Sequence, residues 1–321
     1  MIFKTMPQNG ASWLKPLLYS IEFEQREEQV AVEIYDELTD SQLGRILLYN
    51  TSSVEIDIAP YIRNKRLPLP LADQKSIIAI SPDVCRVVLR VNGEESEPIV
   101  LFRSDIGVPS PRILSAISES DTVALGERIR LTLLARRHIK ILVVNASDVG
   151  FKTVEFDNDG LPCEVVVPVE RANINETVVL RIECDGVLVG VSYYRVVERD
   201  DSAVRLAWHN AQGGMECHTF PQSLRRSLAI KSEDIEGECG WYRRVVGSTI
   251  VRRLVMSGLL QSEVDSILDI LLSPRVYRCD NESNMAVQLL TDTILYDDHG
   301  KLRRLEFDIK EEWKGGALCV D

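Results

Sequence analysis

Thr177-Val178-Val179-Leu180-Arg181-Ile182-Glu183-Cys184, then Asp185-Gly186, then Val187-Leu188-Val189-Gly190-Val191-Ser192-Tyr193-Tyr194-Arg195-Val196-Val197 is the stretch on which the fold turns. Two runs rich in β-branched and aromatic residues flank a two-residue connection, and Asp-Gly accepts the positive φ angles of a tight hairpin. Asn92-Gly93 has the same chemistry between Cys85–Val91 and Pro98–Phe102. Asn158-Asp159-Gly160 predicts a third hairpin, between Phe151–Phe156 and Cys163–Val169.

Working outward, alternation with a period of two recurs, which places every second side chain on one strand face. Val30–Tyr35, Ser53–Ile58, Arg128–Leu133 and Leu305–Ile309 all show it. Pro109-Ser110-Pro111 and Glu198-Arg199-Asp200-Asp201 interrupt any ladder and divide the chain into units 1–105, 106–198 and 199–321. A proline-rich excursion, Leu67-Pro68-Leu69-Pro70, is expected to return over the surface of the first. The expected fold is mainly β: two antiparallel β-sandwich domains, immunoglobulin-like in length and strand spacing, followed by an α+β C-terminal domain. Its helix is expected over 261–272, where Val264, Ile267, Leu268 and Leu271 recur at helical spacing before Pro274.

The chain has 321 residues, ample for a buried core, and a net charge of −12. Such a surface repels phosphate, and Arg136-Arg137-His138 and Arg252-Arg253 are too short to form a phosphate track, so nucleic acid is not expected as a partner. The 7 cysteines are dispersed without redox or metal spacing and read as reduced thiols of a cytoplasmic protein. Lys15-Pro16 breaks the apolar run near the amino terminus, so neither a signal peptide nor membrane insertion is expected.

His209, Cys217, His218 and Cys239 could suggest zinc, but adjacent Cys217 and His218 point to opposite faces of a strand. No serine sits in a nucleophile elbow, and Gly213-Gly214 and Gly315-Gly316 lack the rest of a phosphate loop. The pairs Asp157/Asp159 and Asp297/Asp298 occupy turn-like sequence, where aspartate bonds to nearby amides. No enzyme activity, metal or cofactor is expected.

One segment is distinctive: Val204-Arg205-Leu206-Ala207-Trp208-His209-Asn210-Ala211-Gln212-Gly213-Gly214-Met215-Glu216-Cys217-His218-Thr219-Phe220-Pro221. It reads as a strand ending in Trp208, a turn set by Asn210, Gly213 and Gly214, and a returning strand that buries Met215 or Phe220. The aromatic-x-Asn-x-x-Gly-Gly-x-Glu-x-x-Thr-Phe pattern resembles a segment of structural proteins from phages and prophages of the Bacteroides group, tail or baseplate components. Leu271–Tyr277, Met285–Asp292 and Leu302–Ile309 resemble the closing portion of the same proteins, with a looser echo in Asp57-Ile58-Ala59-Pro60-Tyr61-Ile62. The resemblance implies a non-catalytic virion protein that acts by protein–protein assembly in homo- or hetero-oligomers. A carbohydrate- or surface-binding adhesin, with tryptophans as stacking platforms, is the alternative; an enzyme whose site is assembled from distant residues is the second.

Overall fold

In a computed structural model, the residues described are 1–65, 78–80, 84–103, 111–115, 121–145, 152–169, 172–198, 202–210, 212–229, 232–237, 240–245, 249–259, 264, 267–279, 284–291 and 303–313. The proline-rich excursion at 67–70, the charged residues 199–201, Cys239, Asp297/Asp298, Gly315-Gly316 and Cys319 lie outside them. The fold is mainly β, built of curled sheets. No described helix is long and apolar enough to cross a membrane.

The first sheet contains β1 (Ile2–Thr5), β2 (Ala11–Ser12), β3 (Leu18–Asp36) and β4 (Ser41–Asp57). After α1 (Ala59–Lys65) and β5 (Ile78–Ile80) come β6 (Val84–Val91), β7 (Glu94–Glu95) and β8 (Ile99–Phe102). Its order is β1-β3-β6-β8-β2, with β4 on β3 and β7 on β6. Tyr19, Ile21, Val32, Ile34 and Leu89 fill its core. Asp57 Oδ1 accepts from the amides of Leu17 (2.8 Å) and Ala59 (3.0 Å), fixing the passage from β4 into α1. Asn92 and Gly93, at φ 52° and 91°, form the predicted turn after β6.

The second sheet comprises β9 (Arg112–Ile113), β10 (Asp121–Ala124), β11 (Arg128–Asn145), β12 (Lys152–Pro168), β13 (Thr177–Cys184) and β14 (Val187–Val197). β5, which precedes β6 in the chain, joins it against β12. The opening hairpin forms as predicted: Cys184 pairs with Val187, and Asp185 and Gly186 sit at φ 49° and 77°. β10 runs parallel to β14, and β2 parallel to β8, so the sheets are not wholly antiparallel.

The hairpin expected at Asn158-Asp159-Gly160 is absent. β12 runs straight through these residues and pairs with β11 on both sides of them, with a register shift between Leu134/Arg136. Gly160, at φ 95°, supplies the left-handed residue of a bulge, and Asn158 Nδ2 donates to the carbonyls of Ala135 (2.8 Å) and Leu161 (2.7 Å). A bulge bends the strand and raises its twist, which curls the sheet over its core.

The third sheet is made of β15 (Val204–His209), β16 (Met215–Phe220), β17 (Gln222–Ala229), β20 (Thr249–Leu259), β21 (Val276–Cys279), β22 (Asn284–Leu289) and β23 (Arg303–Trp313). Between β17 and β20 the strands β18 (Ser232–Gly237) and β19 (Gly240–Val245) pair with each other. The order β16-β15-β21-β22-β23-β20-β17 leaves β16 at one edge. The described residues do not support an α+β C-terminal unit. Within 261–272, residues 264, 267 and 268 are helical and Asp269–Leu271 forms a 3-10 turn. The residues whose apolar spacing predicts the helix share a core with the sheet: Val264, Ile267 and Ile270 cluster with Val204, Trp208 and Phe307.

Candidate functional site

β15 and β16 depart from the half-buried alternation seen elsewhere, because all residues of both strands are buried. On one face Val204, Leu206, Trp208 and Phe220 join the core of the third sheet, where Phe220 meets Phe307 edge-on at 5.6 Å. On the other face Ala207, Met215 and Cys217 pack with Tyr277. The segment therefore buries both Met215 and Phe220.

Asn210 organises the turn. Its Oδ1 accepts from the amides of Gln212 (2.9 Å) and Gly214 (2.8 Å), while its Nδ2 donates to the Leu114 carbonyl (2.7 Å) and to Glu216 Oε1 (2.5 Å). Gly213 sits at φ 84°, a conformation that disfavours a Cβ. Gly214 is needed for another reason: a Cβ there would lie 2.9 Å from the Leu114 carbonyl oxygen and 3.0 Å from its carbon. One glycine makes the turn, and the next lets two backbones approach.

Leu114 follows β9 and its amide donates to the Thr132 carbonyl of β11 in the second sheet, and the contact continues along the edge of β16. The Met215 amide donates to Thr132 Oγ1 (3.0 Å), and Ser115 Oγ donates to the Met215 carbonyl (3.1 Å) while accepting from the Thr132 amide (2.9 Å). Farther on, Thr219 Oγ1 donates to Glu127 Oε2 at 2.5 Å, and that same oxygen accepts from the Ala124 amide (2.8 Å). Arg205 donates to Thr219 Oγ1 (2.8 Å) and to the Arg128 carbonyl (2.9 Å), and lies 3.6 Å from Glu127. His218 Nδ1 lies 2.5 Å from Asp121 Oδ1. All of these side chains are buried. An edge strand that could pair with another chain is here closed by hydroxyls and charges from the neighbouring sheet.

Trp208, Asn210, Gly213, Gly214 and Phe220 all lie on this hairpin, Asn210 and the glycines at its turn and Phe220 at the far end opposite Val204, and the residues they work with escaped the sequence reading. The alternation along Arg128–Leu133 sets Arg128 and Arg130 on the face opposite Ile129 and Leu131, yet Arg130 is buried against Glu164 at 3.4 Å. Cys217 and His218 do face opposite ways, one toward Tyr277 and the other toward Asp121. Among the described residues no group of three or more His, Cys, Asp or Glu is placed to hold a metal ion. Trp13 and Trp208 are buried, so neither offers a stacking platform.

Burial shapes the electrostatics. It would lower the pKa of the Arg205 guanidinium, but the Glu127 carboxylate opposes it and the net shift is upward. Burial pushes the Cys217 thiol from an ordinary 9.0 up to about 12, and it raises the Tyr194 phenol well above its usual range, with Asp121 adding to the effect. As pH rises, the unfolded chain therefore loses these protons before the folded one does. The stability they contribute is complete below about pH 9 and falls as pH climbs toward the folded values. Urea midpoints are expected to drop steadily between about pH 9 and about pH 11, and Cys217→Ala to make the decline shallower; an unchanged slope would refute the assignment.

No family model and no curated protein matches the chain. Solved structures give loose likenesses: the FN1-FN3 domains of chicken CNTN1 at 6% identity, covering 88% of this chain and 93% of that one, with a TM-score of 0.22. The BSP domain of a biofilm associated protein follows at 8% identity, 61% and 29% coverage and a TM-score of 0.18. Dpr2 Ig1-Ig2 in complex with DIP-Theta Ig1-Ig3 gives 10% identity, 62% and 99% coverage and a TM-score of 0.18. At these TM-scores the likenesses assign neither a family nor a function.

Proposed function

We propose that the chain is a non-catalytic structural protein that works by binding other proteins, its units being immunoglobulin-like sandwich modules of a prophage-encoded virion, in the tail or baseplate. The observation that carries this reading is the hairpin Trp208–Phe220, buried on both faces and bonded along its edge to the second sheet. Groups that could do chemistry are spent on holding two units together: His218 on Asp121, and Arg205 on Thr219 and Glu127. A fixed geometry between successive modules suits a component that must present its surfaces at set angles within a particle. The resemblance of the hairpin to tail and baseplate proteins supports the same reading.

Light scattering over a concentration series, with negative-stain microscopy, tests it. Growth into rings, tubes or other regular particles is expected. A chain that stays monomeric and binds glycans on an array would replace this reading with that of an adhesin.

A further inference from the structure

Among the described residues, β4 pairs with β3 alone, so one side of a 17-residue strand carries no ladder partner. Val54 and Ile56 face the core, with Ile46 and Leu48 packed against it, which puts the odd-numbered side chains from Arg45 to Glu55 on the outer face; Leu43, beyond a register shift, turns into the core. There Leu47 is 42% and Tyr49 64% exposed. Natural edges are blunted by proline, lysine or short length, and Ser41–Asp57 contains neither residue type.

The charges on β4 say what covers it. They are Arg45, Glu55 and Asp57, and the Asp57 carboxylate is already taken by the amides of Leu17 and Ala59. An antiparallel pairing of two copies about a two-fold axis through Asn50 sets Arg45 opposite the partner's Glu55. It also sets Leu47 opposite the partner's Ser53 and Tyr49 opposite the partner's Thr51, all on the exposed face. The two Tyr49 rings become diagonal neighbours, within reach of each other. Symmetry makes each charge pair twice, and no other register brings these two opposite charges together. Asn50, at φ 52°, interrupts the ladder at the axis and divides it into two equal arms. Arg45 now lies 3.5 Å from Glu33 of β3, and in the pair it would sit between Glu33 and the incoming carboxylate.

We propose that the outer edge of β4 joins two copies of this chain about a two-fold axis at Asn50; this rests on the assembly reading and names a second copy as the first partner. Sedimentation velocity on the full chain is the test, with Arg45→Glu and Glu55→Arg as variants and circular dichroism melts to establish that each is folded. The expected wild-type species is a dimer that dissociates on dilution. Each reversal sets like charges together twice, and should weaken the dimer at least about 10-fold. Mixing the two variants in equal amounts should restore a 1:1 heterodimer, because the reversed charges then face their complements. Association that survives both reversals, or folded variants that fail to pair on mixing, overturns the β4 contact and leaves the assembly reading standing. A wild type that does not associate at any concentration overturns both.

Discussion

Arg205→Met is expected to remove about 3 to 5 kcal/mol of stability, the usual loss when one partner of a buried charge pair is deleted. The guanidinium satisfies Thr219 Oγ1 and the Arg128 carbonyl and offsets the Glu127 carboxylate, all inside a water-poor junction. Without it, Glu127 keeps the Ala124 amide and the Thr219 hydroxyl as donors but loses its ion pair with Arg205. Urea denaturation measures the loss. The double change Arg205→Met with Glu127→Leu should recover much of it, since a buried pair exchanged for apolar side chains is often close to neutral. A single variant that loses less than about 1 kcal/mol would place Arg205 outside the energetics of the junction.

Gly214→Val is expected to lose about 3 kcal/mol through overpacking. The obstacle is the Leu114 backbone, 2.9 Å from the position of the new Cβ, and backbone cannot step aside as the end of a flexible side chain can. Relief requires the turn to withdraw, which would pull Asn210 Nδ2 from the Leu114 carbonyl and Met215 from Thr132 and Ser115. Thermal unfolding should show the loss, with Gly214→Ala changed in the same direction and by less. Wild-type melting for the valine variant would contradict the close approach.

Much of the strand content can be read from residue order because its causes are local. Asp185-Gly186 and Asn92-Gly93 take the positive φ angles that their composition favours, and alternation along Val30–Tyr35 matches a sheet with one face in the core. Asn158-Asp159-Gly160 misleads because a tight turn and a bulge ask for the same left-handed residue; what separates them is whether the chain beyond keeps pairing with the same neighbour, a non-local fact. The apolar spacing at Val264, Ile267 and Leu268 does mark helical residues, but it carries no sign that the strands around them join one seven-stranded sheet, so the α+β class inferred from it is not supported.

The junction was legible from one side only. Asn210, Gly213 and Gly214 announce a turn, but Met215 bonds to Thr132 across 83 residues of chain and to Ser115 across 100, and no periodicity links such positions. The available signal was polarity out of place. Arg205 stands between Val204 and Leu206, and His218 sits in a returning strand that ends in Phe220; both prove to be buried on charged partners.

Hydrogen exchange read by mass spectrometry across a urea series tests most directly whether the hairpin locks the second and third units into one structural body. Amides of β11 (Arg128–Asn145) and β16 (Met215–Phe220) are expected to open together, with the same free energy and the same urea dependence, and to separate in Arg205→Met. Exchange of β16 through an opening that leaves β11 protected in the wild type would contradict the lock, and with it the structural role assigned to the hairpin.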